Sequence, residues 1–222
     1  MLGWMKGKLL LPLALMLVFA LSRIPGMLPH NFSAAYALAF CAGVYFTGRM
    51  AWWLPLATLV LTDIGLDLYY RFYLGYDVFA WKSLLYQLFN YVAYVLMIWL
   101  GRRHKPNSSF LSLLGGGILG ALLFYLITNT ASWFFNIFQN PEYTQDLMGW
   151  LTAMIKGTSG WPQTWEFFRN TLLSGGLFTG LFVGAMKLTA SSESPREKEP
   201  VPEPQEAPED EEAPAPEPRD AA

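Results

Sequence analysis

The sequence predicts an all-α fold, a polytopic bundle of six transmembrane helices over residues 1–190 with a disordered Pro/Glu-rich acidic tail over residues 191–222. Composition is the first ground: 53% of the 222 residues are hydrophobic and 14% charged, more apolar surface than a soluble core of this size would bury. Hydropathy patterning is the second, because six apolar stretches approach the ~20 residues that a lipid-spanning helix needs to satisfy its own backbone. Charge distribution is the third. Residues 1–190 hold 12 Lys/Arg and 6 Asp/Glu, whereas residues 191–222 hold 3 and 11. The net charge of −2 therefore joins a basic membrane part to an acidic tail with many prolines and no apolar face to bury.

The stretches run Leu9–Ser22, Ser33–Thr47, Ala51–Tyr70, Ser83–Leu100, Phe110–Thr130 and Thr171–Leu188. The first also has the parts of a secretory signal, with Lys6 and Lys8 before an apolar run and Ala20 and Ser22 at cleavage spacing. Its retention gives the six-span reading. The first two stretches are short and draw on flanking residues to reach spanning length. Cytoplasmic loops retain Lys and Arg, so the cluster Arg102, Arg103 and Lys105 puts the fourth connection inside. Both termini then lie in the cytoplasm; spans one, three and five end outside, where two, four and six begin. The fifth connection, from about Ala131 to Asn170, is external and carries Trp133, Phe134, Phe135, Trp150, Trp161 and Trp165. Aromatics at that level form an interfacial belt or cover a ligand. Within this connection, Tyr143–Ile155 suits a short helix lying on the membrane surface.

Polar side chains inside apolar helices are expensive, so they carry the functional signal. Asp63 and Asp67 lie one turn apart on one face of the third span. Two adjacent carboxylates do not both stay ionised cheaply: one takes a proton, or the pair acquires a Lys, an Arg, a metal ion or a cationic substrate. Gln87, Asn90, Tyr91 and Tyr94 form a polar stripe along the fourth span. Asn31, Asn129 and Asn170 stand at helix ends, and Trp133 begins the long connection. All of these fall in the outer half. Helix capping accounts equally for Asn31, Ser33 and Asn170, and a structural pair bonded to a neighbouring helix is the alternative for the aspartates. An outward-facing pocket lined by some of Asn31, Asp63, Asp67, Gln87, Asn90, Asn129, Trp133 and Asn170 is the reading that gathers them.

Ala35, Ala39 and Gly43 in the second span, Gly115, Gly116, Gly117 and Gly120 in the fifth, and Gly176, Gly180 and Gly184 in the sixth are small residues at or near every fourth position. Such residues let helix backbones approach, for packing within the bundle or for docking a partner. Cys41 is the one cysteine, and no Cys/His group with metal-ligand spacing surrounds His30 or His104. No phosphate-binding loop, nucleophile elbow or HExxH helix is present, so the expectation is a non-enzyme with no cofactor, metal or nucleic-acid partner.

Three stretches, Pro29–Phe46, Leu54–Asp63 and Asn170–Gly184, resemble a family of uncharacterised bacterial membrane proteins described as transport proteins. That family is similar to the substrate-binding S components of energy-coupling factor (ECF) vitamin transporters. The resemblance covers about residues 9–188 and implies an S-component-like bundle in a bacterial inner membrane. It further implies capture of a small-molecule solute from outside and coupling to a membrane T component with cytoplasmic ATPases. Two other readings stay open: a proton- or sodium-coupled carrier using Asp63 and Asp67, and a non-transporting scaffold whose acidic tail recruits a basic partner.

Overall fold

A computed structural model of the protein describes Ala14 and residues 16–191, and among these described residues each apolar run of the sequence forms helix. The elements are α1 (helical residues 16–22), α2 (Ala35–Tyr45), α3 (Met50–Tyr73), α4 (Trp81–Gly101), α5 (Phe110–Phe135), α6 (Leu147–Ile155) and α7 (Thr164–Ser191). No strand occurs among the described residues. The tail and most of the amino-terminal half of the first expected span lie outside them. Helices α3, α4, α5 and α7 are each long and apolar enough to cross a membrane. Their outward faces expose Trp53, Leu61, Leu111, Leu173, Leu177 and Leu181. Apolar surface of that extent fits contact with lipid rather than water.

The middle of the bundle is α2, which packs against α3, α4, α5 and α7. Ten of its 11 residues are buried. A helix apolar on every side belongs in such a place. At ~1.5 Å per residue its length is about half the ~30 Å of a hydrocarbon core. Its amino-terminal end is buried at Ala34 and Ala35, and its carboxy-terminal end runs through half-buried Tyr45 and Phe46 into an exposed turn over residues 47–50. Ala35 and Ala39, 1% and 0% exposed, belong to this interior and offer no outer docking face.

Glycine fixes how closely α2 meets α4. A Cβ at Gly43 would lie 2.2 Å from the Ile98 carbonyl oxygen, and one at Gly101 would lie 2.1 Å from that of Phe40. The two backbones touch. A similar fit joins α5 to α7, where a Cβ at Gly117 would meet Thr179 Oγ1 at 2.2 Å and one at Gly175 would meet Ala121 Cβ at 2.6 Å. The contact line on α7 thus runs through Thr171, Gly175, Thr179 and Val183. Gly176 and Gly180 make only ordinary contacts, and Gly184 faces open space. The spacing of the expected stripe was sound, but its register was off by one position.

Boundaries shift where local chemistry outruns hydropathy. Helix α5 continues past Thr130 to Phe135 and stops at Asn136, which takes a left-handed φ of 37°. The last long helix starts at Thr164 rather than Thr171, with Glu166 in its first turn where an acidic group suits the helix dipole. The short helix expected over Tyr143–Ile155 begins at Leu147, because Asp146 caps it by accepting from the Gly149 amide at 2.7 Å.

The contact at Gly101 yields a direct comparison. Replacing Gly101 by Ala should lower stability by about 1–3 kcal/mol through overpacking, whereas Gly184→Ala, with open space for its Cβ, should leave stability unchanged or raise it by up to about 1 kcal/mol. Thermal unfolding of the detergent-solubilised variants measures both, and equal melting would contradict the α2–α4 contact.

Candidate functional site

The inward face of α3 is a line of every fourth residue: Ala51, Pro55, Leu59, Asp63 and Asp67. Small and apolar at its start, this line ends in two carboxylates. Opposite them, α4 presents Gln87, Asn90, Tyr91 and Tyr94 toward the same end of the bundle. The opposite end carries the basic turn of Arg102, Arg103 and Lys105, and the Lys187 ammonium donates there to the Ser108 carbonyl at 2.7 Å. Between α3 and α4 lies a cavity of about 280 Å³ that Asp63, Asp67, Gln87 and Asn90 line together with Arg23.

Arg23 is held by the end of α1. Met16, Phe19 and Ser22 form the buried face of that helix. The Ser22 hydroxyl donates to the Phe19 carbonyl at 2.7 Å and accepts from the Ala34 amide at 3.0 Å, which ties α1 to the start of α2. The next residue, Arg23, donates through Nη2 to Asp63 Oδ1. Tyr91 donates its hydroxyl to Asp63 Oδ2. Asp63 is therefore answered by one cation and one phenol.

Asp67 is placed differently. It is 9% exposed, and Gln87 Nε2 donates to its two oxygens at 3.0 and 2.9 Å. No cation reaches it among the described residues. Tyr70, Tyr86, Tyr94 and Phe138 supply the apolar wall. Phe138 comes from the α5–α6 connection and packs edge-on to Tyr86, their centroids 5.9 Å apart. Behind Tyr94, outside the lining, Phe124 and Tyr36 continue the aromatic packing into the core, with centroids 4.8 Å and 4.9 Å apart in successive pairs.

The other four expected residues do not join this group. Asn31 is exposed, adopts φ 58°, and accepts from the Tyr36 hydroxyl through its carbonyl at 3.3 Å, so it serves the turn before α2. Asn129 Nδ2 donates to Tyr125 of its own helix at 2.9 Å. Asn170 Nδ2 donates to the His30 carbonyl at 2.9 Å and fastens the α1–α2 loop to α7. Trp133 Nε1 donates to the Thr144 carbonyl at 2.6 Å. A turn, an intrahelical bond and loop anchoring account for the four, and none of them caps a helix: Ala34 precedes α2 without a side-chain cap bond, and Asn170 lies inside α7.

The long connection is folded back on the bundle by bonds of this kind. Trp150 Nε1 donates to Thr130 Oγ1 at 3.1 Å, and Tyr125 donates to the carbonyls of Met154 and Thr164. The Gly149 amide and the Thr144 hydroxyl hold the Asp146 carboxyl below its usual range, and the Ser159 amide does the same for Glu142. Trp161 and Trp165 stay exposed, as interfacial anchors would.

A family model described as a family of unknown function (DUF6580) matches residues 5–198. The chain belongs to that family. The match takes in every described helix of this DUF6580 member and ends within the acidic segment. No curated protein matches the chain, and no solved structure does.

Sequence reasoning missed Arg23, Tyr70, Tyr86 and Phe138. The demand of the paired aspartates for a cation was legible, but which of the sparse outer cations would answer it depended on where α1 ends. The ion pair is 17–18% exposed, so removing either member strands a poorly hydrated charge. Arg23→Gln and Asp63→Asn should each destabilise by about 1–3 kcal/mol, and the double variant by clearly less than their sum. Additive losses in a double-mutant unfolding cycle would show that the pair does not couple.

Proposed function

We propose that this DUF6580 protein is an inner-membrane solute-capture protein of six transmembrane helices, with its cavity open to the outside. The short α2 and the α1 segment complete the six. The observation that carries this reading is the cavity itself: polar groups from α3 and α4 meet Arg23 beneath the α5–α7 connection, with aromatic rings around them. Polar side chains in apolar helices persist where they serve a ligand or ion path. A concave site with few convergent polar groups and an apolar wall is the usual form of a small-molecule pocket.

The basic turn lies at the opposite end and, by the positive-inside rule, in the cytoplasm, together with both termini and the acidic tail. In this orientation the cavity faces the periplasm. The resemblance to ECF S components supplies a means of release, through a T component and cytoplasmic ATPases. A second reading, a proton- or sodium-coupled carrier, draws on Asp67, a nearly buried acid without a cation. In vesicles with ATP held constant, a protonophore would abolish uptake by a proton-coupled carrier, a sodium ionophore would abolish uptake by a sodium-coupled one, and ATP-driven uptake would survive both.

Gentle purification from native membranes followed by mass spectrometry of bound small molecules and subunits is the test. A solute should co-purify with the wild-type protein and be depleted about tenfold or more in an Asn90→Ala variant, which removes a cavity amide without breaking a side-chain bond to another described residue and should keep its melting temperature. Absence of any co-purifying solute, or equal amounts in both proteins, would contradict capture in this cavity.

A further inference from the structure

We propose that the cavity between α3 and α4 takes a small organic monocation, a protonated primary or secondary amine on a compact body, with Asp67 as its counter-ion. This assignment rests on the solute-capture reading of the same cavity and narrows it to one charge class. Three formal charges line the space. Arg23 and Asp63 pair with each other, which leaves the Asp67 carboxylate, 9% exposed and bonded only to the uncharged Gln87 amide. A carboxylate so enclosed is stabilised by an incoming positive charge, left uncompensated by a neutral solute, and repels an anion.

The wall supports an amine over a bare ion. Asn90 follows Gln87 by three residues on α4, lines the same cavity, and its amide makes no hydrogen bond to another described residue. Its oxygen is a second acceptor for ammonium N–H groups, which form charge-assisted bonds with Asp67. Aromatic side chains in the wall attract cations through their ring quadrupoles and cover apolar surface. A divalent metal would need several charged or strongly donating ligands, and no group of three or more His, Cys, Asp or Glu side chains able to hold one occurs among the described residues. The volume of about 280 Å³ lies at the small end of ligand sites, usually ~300–1,000 Å³. A single-ring amine is of suitable size.

Three probes of one size and different charge test the assignment: benzylamine, benzyl alcohol and benzoate, titrated at neutral pH into the full-length protein in lipid nanodiscs. Benzylamine should bind at least about tenfold tighter than the other two, and Asp67→Asn should shrink that preference to about twofold or less. Benzyl alcohol or benzoate binding as well as benzylamine, no binding by any probe, or a preference that survives Asp67→Asn would each overturn it. Because the three probes are compared on the wild-type protein, a misfolded Asp67 variant leaves the test intact. Asn90→Ala then serves as the second variant, expected to weaken benzylamine about threefold to tenfold, and an unchanged affinity would remove the second acceptor and with it the amine. A neutral or anionic preference sinks the charge class alone; the absence of any co-purifying solute sinks solute capture itself.

Discussion

The bond between Arg23 and Asp63 is the constraint around which this end of the bundle is arranged. A carboxylate within an apolar helix is tolerated only if a partner replaces the water it has lost. Arg23 reaches Asp63 because α1 ends one residue earlier, at Ser22, whose hydroxyl is stitched to the start of α2. Tyr91 completes the site from α4. Three segments distant in sequence are thereby held around one charged group. Neutralising Asp63 also isolates Asp67, so the pair sets the charge of the cavity as well as its walls.

The two ends of the bundle are built on different principles. Near the basic turn, Gly43 and Gly101 bring α2 and α4 into backbone contact, and Gly116 receives the Phe40 ring. Van der Waals packing of small residues drives association there, as is usual where lipid removes the hydrophobic incentive. At the other end α3 and α4 carry Asp, Gln, Asn and Tyr side chains, whose volume and hydrogen bonds keep the helices apart. The cavity opens at that end, between α3 and α4. The connection between α5 and α7 then folds over that end through Trp133, Trp150 and Tyr125, and contributes Phe138 to the wall.

Much of the fold could be read from hydropathy, because a membrane helix must satisfy its backbone internally and announces itself by length. The limits were chemical. Asp146 and Asn136 set the ends of α6 and α5 through bonds that an apolar average does not register. Within the site, Asp63, Asp67, Gln87 and Asn90 were legible, since their cost inside a helix does not depend on which neighbour answers them. Asn31, Asn129, Asn170 and Trp133 belonged to the same end of the bundle but to other tasks, and only side-chain directions separate a loop anchor or an intrahelical bond from a pocket wall. Arg23 lacked any local signal, because an arginine just past a short helix looks like an ordinary loop cation until its partner is located.

The proposed function stands on a cavity that opens to the outside and carries one uncompensated negative charge. Cys41 is buried, so a single new cysteine at Ser83, on the cavity wall, would be the reactive thiol among the described residues. Intact cells carrying Ser83→Cys should react with externally added cationic trimethylammonium-ethyl methanethiosulfonate several-fold faster than with its anionic sulfonatoethyl counterpart, after correction for their rates with a free thiol, and Asp67→Asn should erase the difference. Protection of the cysteine from both impermeant reagents, or faster reaction with the anion, would contradict the account.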